Sequence, residues 1–149
     1  MEIERKYLID RLPDRLEDYP HSEIEQGYLN RQPVLRIRRR DDEYIFTYKG
    51  GGLMVRREDE FPLDEASYLH LREKIDGQLI RKTRYRIPLG PYTIELDVFH
   101  GALAPLILAE VEFPTVEEAN AFVPPDWFGA DVTMDGRYHN SYLSRLVSK

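Results

Sequence analysis

The chain contains no cysteine, which excludes disulfide frameworks, thiolate metal sites and a cysteine nucleophile. It also lacks a long hydrophobic run. The longest, residues 102–109, is interrupted by Pro105 and falls far short of the roughly 20 residues a membrane-spanning helix needs. The opening Met1-Glu2-Ile3-Glu4 is acidic, without the basic start and apolar stretch of a secretory signal, so the expectation is a cytoplasmic protein. No internal repeat, low-complexity tract or Gly/Ser-rich linker breaks the sequence. Its 149 residues, 42% hydrophobic and 32% charged, read as one domain spanning 1–149 with enough apolar content for a core. The net charge of −6 weighs against nonspecific nucleic-acid binding, which draws its affinity from neutralised phosphates. Neither nucleic acid nor a membrane is an expected partner.

What the sequence does contain is alternation. Apolar and polar residues exchange with period two at 1–9, 24–30, 34–40, 43–49, 55–61, 80–89, 92–99 and 107–113, the signature of half-buried strands. Short turn-like pieces, Asp41-Asp42, Gly50-Gly51-Gly52 and Gly90-Pro91, join several of them, which favours antiparallel hairpins over crossover connections. Helices are predicted at 64–75, at 115–122 with Thr115 as N-cap and Glu117 and Glu118 in the first turn, at about 136–147, and at 12–19. About eight strands with a few segregated helices define an α+β fold built on one large antiparallel sheet or a barrel.

The polar positions of these strands are charged. Glu2, Glu4 and Lys6 share one face of the first run; Arg36 and Arg38 oppose Leu35 and Ile37; Lys49 is out of phase with Tyr44, Phe46 and Tyr48. Arg56, Glu58 and Glu60 form one face of the fifth run, Lys82 and Arg84 of the sixth, Glu95 and Asp97 of the seventh, and Glu110 and Glu112 of the eighth. A sheet with one wet face explains alternation by itself. It does not explain the scarcity of Ser, Thr, Asn and Gln at these positions, or the sorting into like-charge pairs two residues apart. Such neighbours lie about 7 Å from each other and repel by roughly 2 kcal/mol at an effective dielectric near 20, less in water and salt. That repulsion becomes useful when a counter-charge arrives. Guanidinium and ammonium groups match phosphate oxygens, while grouped carboxylates suit a hard divalent cation. A sheet closed so that its charged face becomes the interior and its apolar face is covered by helices would bring both sets around one small ligand.

Glu2-Ile3-Glu4-Arg5-Lys6 resembles the ExExK signature of the CYTH superfamily, the triphosphate tunnel metalloenzymes. Arg36-x-Arg38, Lys49, Arg56-x-Glu58-x-Glu60, Lys82-x-Arg84, Glu95-x-Asp97 and Glu110-x-Glu112 follow in the family's order, and the segment from Asp131 to Asn140 looks like the family's approach to its last helix. The resemblance implies an eight-stranded antiparallel β-barrel, a tunnel with a charged interior and helices packed outside. It implies a metal-dependent hydrolase of inorganic triphosphate, with nucleoside or thiamine triphosphatase, class IV adenylate cyclase and a non-catalytic triphosphate binder as alternatives. By the same resemblance Lys6, Arg36, Arg38, Lys49, Arg56, Lys82 and Arg84 grip phosphates. Glu2, Glu4, Glu110 and Glu112, with Glu60 or Asp97 beside them, hold Mg²⁺ or Mn²⁺. Glu4 and Lys6 are the expected catalytic pair. The expected partner is inorganic triphosphate or the triphosphate moiety of a nucleotide, and the reading admits a homodimer.

Other features take plainer roles. His21, His70, His100 and His139 have no metal-ligand spacing and are expected to be solvated or capping. Gly50-Gly51-Gly52 lacks the phosphate-loop pattern and reads as a hairpin turn. Tyr28 and Tyr138 are expected to pack, and Trp127 to fasten a loop to the surface.

Overall fold

The computed structural model describes residues 1–143. Nine strands form one antiparallel sheet: β1 (Glu2–Leu8), β2 (His21–Arg31), β3 (Val34–Arg40), β4 (Glu43–Lys49), β5 (Val55–Arg56), β6 (Glu58–Leu63), β7 (Asp76–Leu89), β8 (Tyr92–Phe99) and β9 (Ile107–Glu112). Their order is β5-β1-β9-β8-β7-β2-β3-β4-β6. The two ends of that order are consecutive in sequence, separated only by Arg57. Val55 and Arg56 pair with Ile3 and Glu2, whereas Glu58 to Leu63 pair with β4. One bent strand thus touches both sides and nearly closes the sheet into a barrel. The fifth predicted run, 55–61, is this β5–β6 unit, so eight predicted strands and nine observed ones describe the same wall. The loop of residues 50–54 precedes it, and Gly52 at φ +108° occupies a region open mainly to glycine.

Closure sorts the side chains. The outward residues Ile3, Ile87, Ile94, Leu96, Ala109 and Val111 form a core with Phe113, Ala119 and Ile9, sealed by Tyr92, Phe122, Trp127 and Phe128. Above it lies α2 (Val116–Ala121), begun by Thr115, whose hydroxyl accepts from Glu118 N at 3.1 Å. Trp127 packs against this core and lies edge-on to its neighbour Phe128 with centroids 4.8 Å apart. Arg5, facing outward, donates to the carbonyls of Ala119 and Phe122 at 2.8 and 3.2 Å and pairs with Asp131 at 2.7 Å. α1 (Glu65–Arg72), N-capped by Asp64, packs on β3 and β4, and its buried Tyr68 donates to Glu25 Oε1 at 2.9 Å.

The interior has two zones. At one end the inward residues Tyr28, Val34, Ile80, Phe99 and Leu108 form an apolar cluster completed by Val132, Leu143 and Tyr138. The charged part of the interior therefore lies at the other end, because Leu108 continues the face of Glu110 and Glu112, and Phe99 that of Asp97, as hydrophobes. The C-terminal segment is strapped to β1 through Leu8 N to Ala130 O (2.9 Å), Val132 N to Lys6 O (2.8 Å) and Lys6 N to Thr133 Oγ1 (2.9 Å).

Two helix expectations are corrected. Residues 12–19 contain only a 3-10 turn, Leu16–Asp18. The expected helix at 136–147 divides into a 3-10 turn, Gly136–Tyr138, and a short α3 (Asn140–Leu143), with His139 extended between them (ψ 142°). Residues 144–147 of that expectation lie outside the described residues. The break occurs where the chain turns its side chains into the barrel.

Candidate active site: a charged cavity inside the barrel

The other zone of the interior is a polar cavity of about 200 Å³. It is lined by Lys6, Arg36, Arg38, Arg40, Lys49, Arg56 and Arg84, by Glu2, Glu4, Glu58, Glu60, Glu95, Glu110 and Glu112, and by Tyr28, Val34, His139 and Asn140. Strand periodicity puts the charged groups of each strand on one face, and closure of the barrel makes that face the interior. The charged groups that β3 contributes are all cations and those of β9 and β6 all carboxylates, whereas β1 brings both signs in Glu2, Glu4 and Lys6.

Most charges in the lining are paired. Lys49 Nζ lies 2.9 Å from Glu2 Oε1 and 3.6 Å from Glu58 Oε2. The first contact is an ion pair whose angle makes no hydrogen bond, so Glu2 Oε1 is buried without one. Arg84 reaches Glu110 at 3.2 Å and Glu95 at 3.4 Å. Lys6 Nζ sits 3.6 Å from Glu110 Oε2 and donates to the Tyr138 carbonyl at 3.2 Å. Arg36 donates to Thr47 Oγ1 at 3.1 Å and lies 3.8 Å from Glu60, Arg38 Nε donates to Gln26 Oε1 at 2.7 Å, and Arg56 Nε to Gly50 O at 3.1 Å. Burial, Arg36 and Arg84 lower Arg38 to about 9, which leaves it charged at neutral pH. Against the pull of burial, Lys6, Arg84 and Lys82 hold Glu110 well below the usual carboxylate range.

Glu4 and Glu112 behave differently. They are direct cross-strand partners, an arrangement that destabilises a sheet when both are charged. Among the described residues neither makes an ion pair or side-chain hydrogen bond. Burial, then Glu110 and Glu2, push Glu4 well above the usual range despite Lys49 and Lys6. Burial and the carboxylates Glu2, Glu95 and Glu58 raise Glu112. The two carboxyls thus face each other without a bonded cation, and their charged forms are disfavoured.

Lys82 and Asp97 do not line the cavity. They lie behind it, the Lys82 and Asp97 side chains 0% and 1% exposed, with Nζ 2.6 Å from Asp97 Oδ2. Asp97 also accepts two bonds from Arg84, at 2.8 and 2.9 Å. Despite burial, Arg84 and Lys82 hold Asp97 below the usual range. Asp97 is the counter-ion that fixes Arg84 in its aim. Sequence reasoning placed Glu58 and Glu95 on charged faces without giving them a site role and missed Arg40, which continues the face of Arg36 and Arg38. It also missed Tyr28, His139 and Asn140. His139, expected to be solvated or capping, is buried at the cavity wall with Nε2 unpartnered. Burial, Lys6 and Arg56 lower it to about 4, keeping the ring neutral at physiological pH. No charge alternation marks it, because it arrives from outside the sheet.

Fold and site together define a class: antiparallel barrels whose enclosed charged lumen takes a small, multiply charged ligand. The chain belongs to the CYTH domain family, which it matches over residues 1–124. It is 42% identical to the inorganic triphosphatase of Nitrosomonas europaea over 98% of both chains. It is 33% identical to the inorganic triphosphatase of Acetivibrio thermocellus, over 95% of this chain and 92% of that one. The crystal structure of the inorganic triphosphatase NE1496 superposes with a TM-score of 0.72 at 39% identity, covering 97% of this chain and 94% of the other. The PH1012 protein of Pyrococcus horikoshii OT3 shares the fold at 23% identity, with a TM-score of 0.60 over 81% of this chain and 84% of that one.

Proposed function

We propose that the chain, acting as one domain over 1–149, hydrolyses inorganic triphosphate to pyrophosphate and phosphate with a divalent cation. The observation that carries this reading is the enclosure, in one cavity of about 200 Å³, of seven cationic side chains with two facing carboxyls that lack a bonded cation. A pure anion receptor has no use for Glu4 and Glu112. The names of the two curated relatives support the same substrate.

Among the described residues no three carboxylate or imidazole side chains converge as a metal-binding group. The donor set nonetheless fits Mg²⁺ or Mn²⁺. It is all oxygen, Glu4 and Glu112 lack a bonded cation, and Mg²⁺ is typically held by one or two carboxylates together with substrate phosphate oxygens. Glu4 and Glu112 would hold the cation, with Glu2 and Glu110 adjacent. When bound, it supplies polarisation of the phosphoryl oxygens and lowers the pKa of water.

The chain's own residues do the rest. Arg36, Arg38, Lys49, Arg56 and Arg84 spread positive charge along the phosphates and fix them in place, the main demand of phosphoryl transfer. Glu4, beside the attacking water, accepts its proton through the carboxylate oxygen left free by the cation. A new P–O bond forms from that water as the bridging P–O bond breaks. Lys6, held by the Tyr138 carbonyl, neutralises the charge left on the departing oxygen. Lys82 acts indirectly, through Asp97 and Arg84.

The test is phosphate release from triphosphate, pyrophosphate, ATP and thiamine triphosphate, each with Mg²⁺, Mn²⁺ or EDTA. Metal-dependent release from triphosphate is expected. Cyclic AMP and pyrophosphate from ATP would make the protein a cyclase, and binding without turnover would make it a receptor.

A further inference from the structure

Asn140 occupies the boundary between the charged cavity and the apolar plug, and its hydrogen bonds determine how its carboxamide is turned. Lys82 Nζ donates to Oδ1 at 3.2 Å. Burial lowers Lys82 to about 7, so it is the second donor that identifies this atom as the oxygen. Gln26 Nε2 donates to the same Oδ1 at 3.3 Å. Gln26 is itself oriented unambiguously, because its Oε1 accepts from the Arg38 guanidinium at 2.7 Å. Asn140 Oδ1 is therefore saturated by groups behind the cavity wall. Its Nδ2, with two hydrogens, has no partner among the described residues, while Asn140 lines the cavity. Beside it the buried His139 Nε2 is also unpartnered and uncharged.

Resting on the function proposed above, we infer that Asn140 Nδ2 is a binding residue for the substrate, donating to an oxygen of the phosphoryl group that abuts the plugged end of the cavity. The cationic wall attracts any polyanion. A neutral, directionally fixed donor at the blind end instead recognises where the chain of phosphates stops. Asn140 and His139 present neutral side chains to the cavity, and Tyr28, Val34 and Leu143 belong to the apolar cluster that closes the way beyond.

Asn140→Asp separates this role from a structural one. Aspartate keeps the acceptor for Lys82 and Gln26 but replaces the donor with a negative oxygen facing phosphate. The expected result is a KM for triphosphate raised about 10- to 100-fold, the worth of a hydrogen bond to a charged group, with an unchanged or higher melting temperature. A wild-type KM in Asn140→Asp overturns the inference. The wild-type protein supplies a second measurement. In EDTA, added tripolyphosphate should shift the Asn140 side-chain NH₂ resonances, and resonances unmoved at saturation overturn the inference even if the variant does not fold. A wild-type protein that neither binds nor cleaves triphosphate overturns the functional reading and this inference together. One that does both while Asn140→Asp is unaffected overturns this inference alone.

Discussion

Replacing Glu4 by glutamine should abolish hydrolysis and, at neutral pH, stabilise the fold. Glu4 is 8% exposed and faces Glu112 directly, with Glu110 and Glu2 also near. Burial comes first among the causes that disfavour its charge, then Glu110 and Glu2; one like charge about 6 Å away at an effective dielectric near 20 repels by roughly 3 kcal/mol. Lys49 and Lys6 offset much of the repulsion from Glu110 and Glu2, so removal of the charge should return about 1–2 kcal/mol net. For a domain of this size that corresponds to roughly 2–8 °C in Tm. The sign also fixes the pH dependence. A carboxyl whose folded-state pKa is raised contributes most below its ordinary range and loses that contribution as pH rises through its folded value. The difference in Tm between variant and wild type should therefore be small near pH 4 and widen toward neutrality. Melting scans in EDTA across that range, with phosphate release measured in Mg²⁺, test the argument. A Glu4→Gln protein that melts lower at neutral pH, or that still cleaves triphosphate at the wild-type rate, refutes it.

Three further outcomes are expected. Asp97→Asn leaves Lys82 and Arg84 buried without their shared counter-ion and should cost about 3–5 kcal/mol, roughly 6–20 °C in Tm; an unchanged melting temperature would contradict the pairing. Triphosphate in EDTA should stabilise the wild-type protein by about 2.7 kcal/mol at a hundredfold excess over Kd, with a smaller shift at high salt, and no shift would remove the cationic wall as a binding surface. Leu143→Ala, at a side chain 2% exposed inside the plug, should cost about 2–5 kcal/mol, and a loss under 0.5 kcal/mol in denaturant titration would show that the segment does not seal the barrel.

Much of the site was legible because strands encode direction simply. Glu2, Glu4 and Lys6 must share a face whatever the tertiary structure, and the same holds for Arg36, Arg38 and Arg40. What alternation cannot express is depth. Lys82 and Arg84 stand two residues apart on one face of β7, yet Arg84 lines the cavity while Lys82 is buried behind it against Asp97. Depth depends on where neighbouring strands and the C-terminal segment cross the barrel axis. His139 and Asn140 were illegible for a related reason: they come from an irregular segment whose entry is set by its bonds to β1.

The sequence alone determined the strand count, the antiparallel hairpins and the division of each strand into an apolar and a charged face, since these follow from local periodicity and turn chemistry. The tertiary structure decided that the charged faces enclose a space, which of their groups are neutralised there, and where that space ends. Those properties arise only when β5 and β6 bridge the first and fourth strands and bring distant charges within a few ångströms, where burial makes each pairing count.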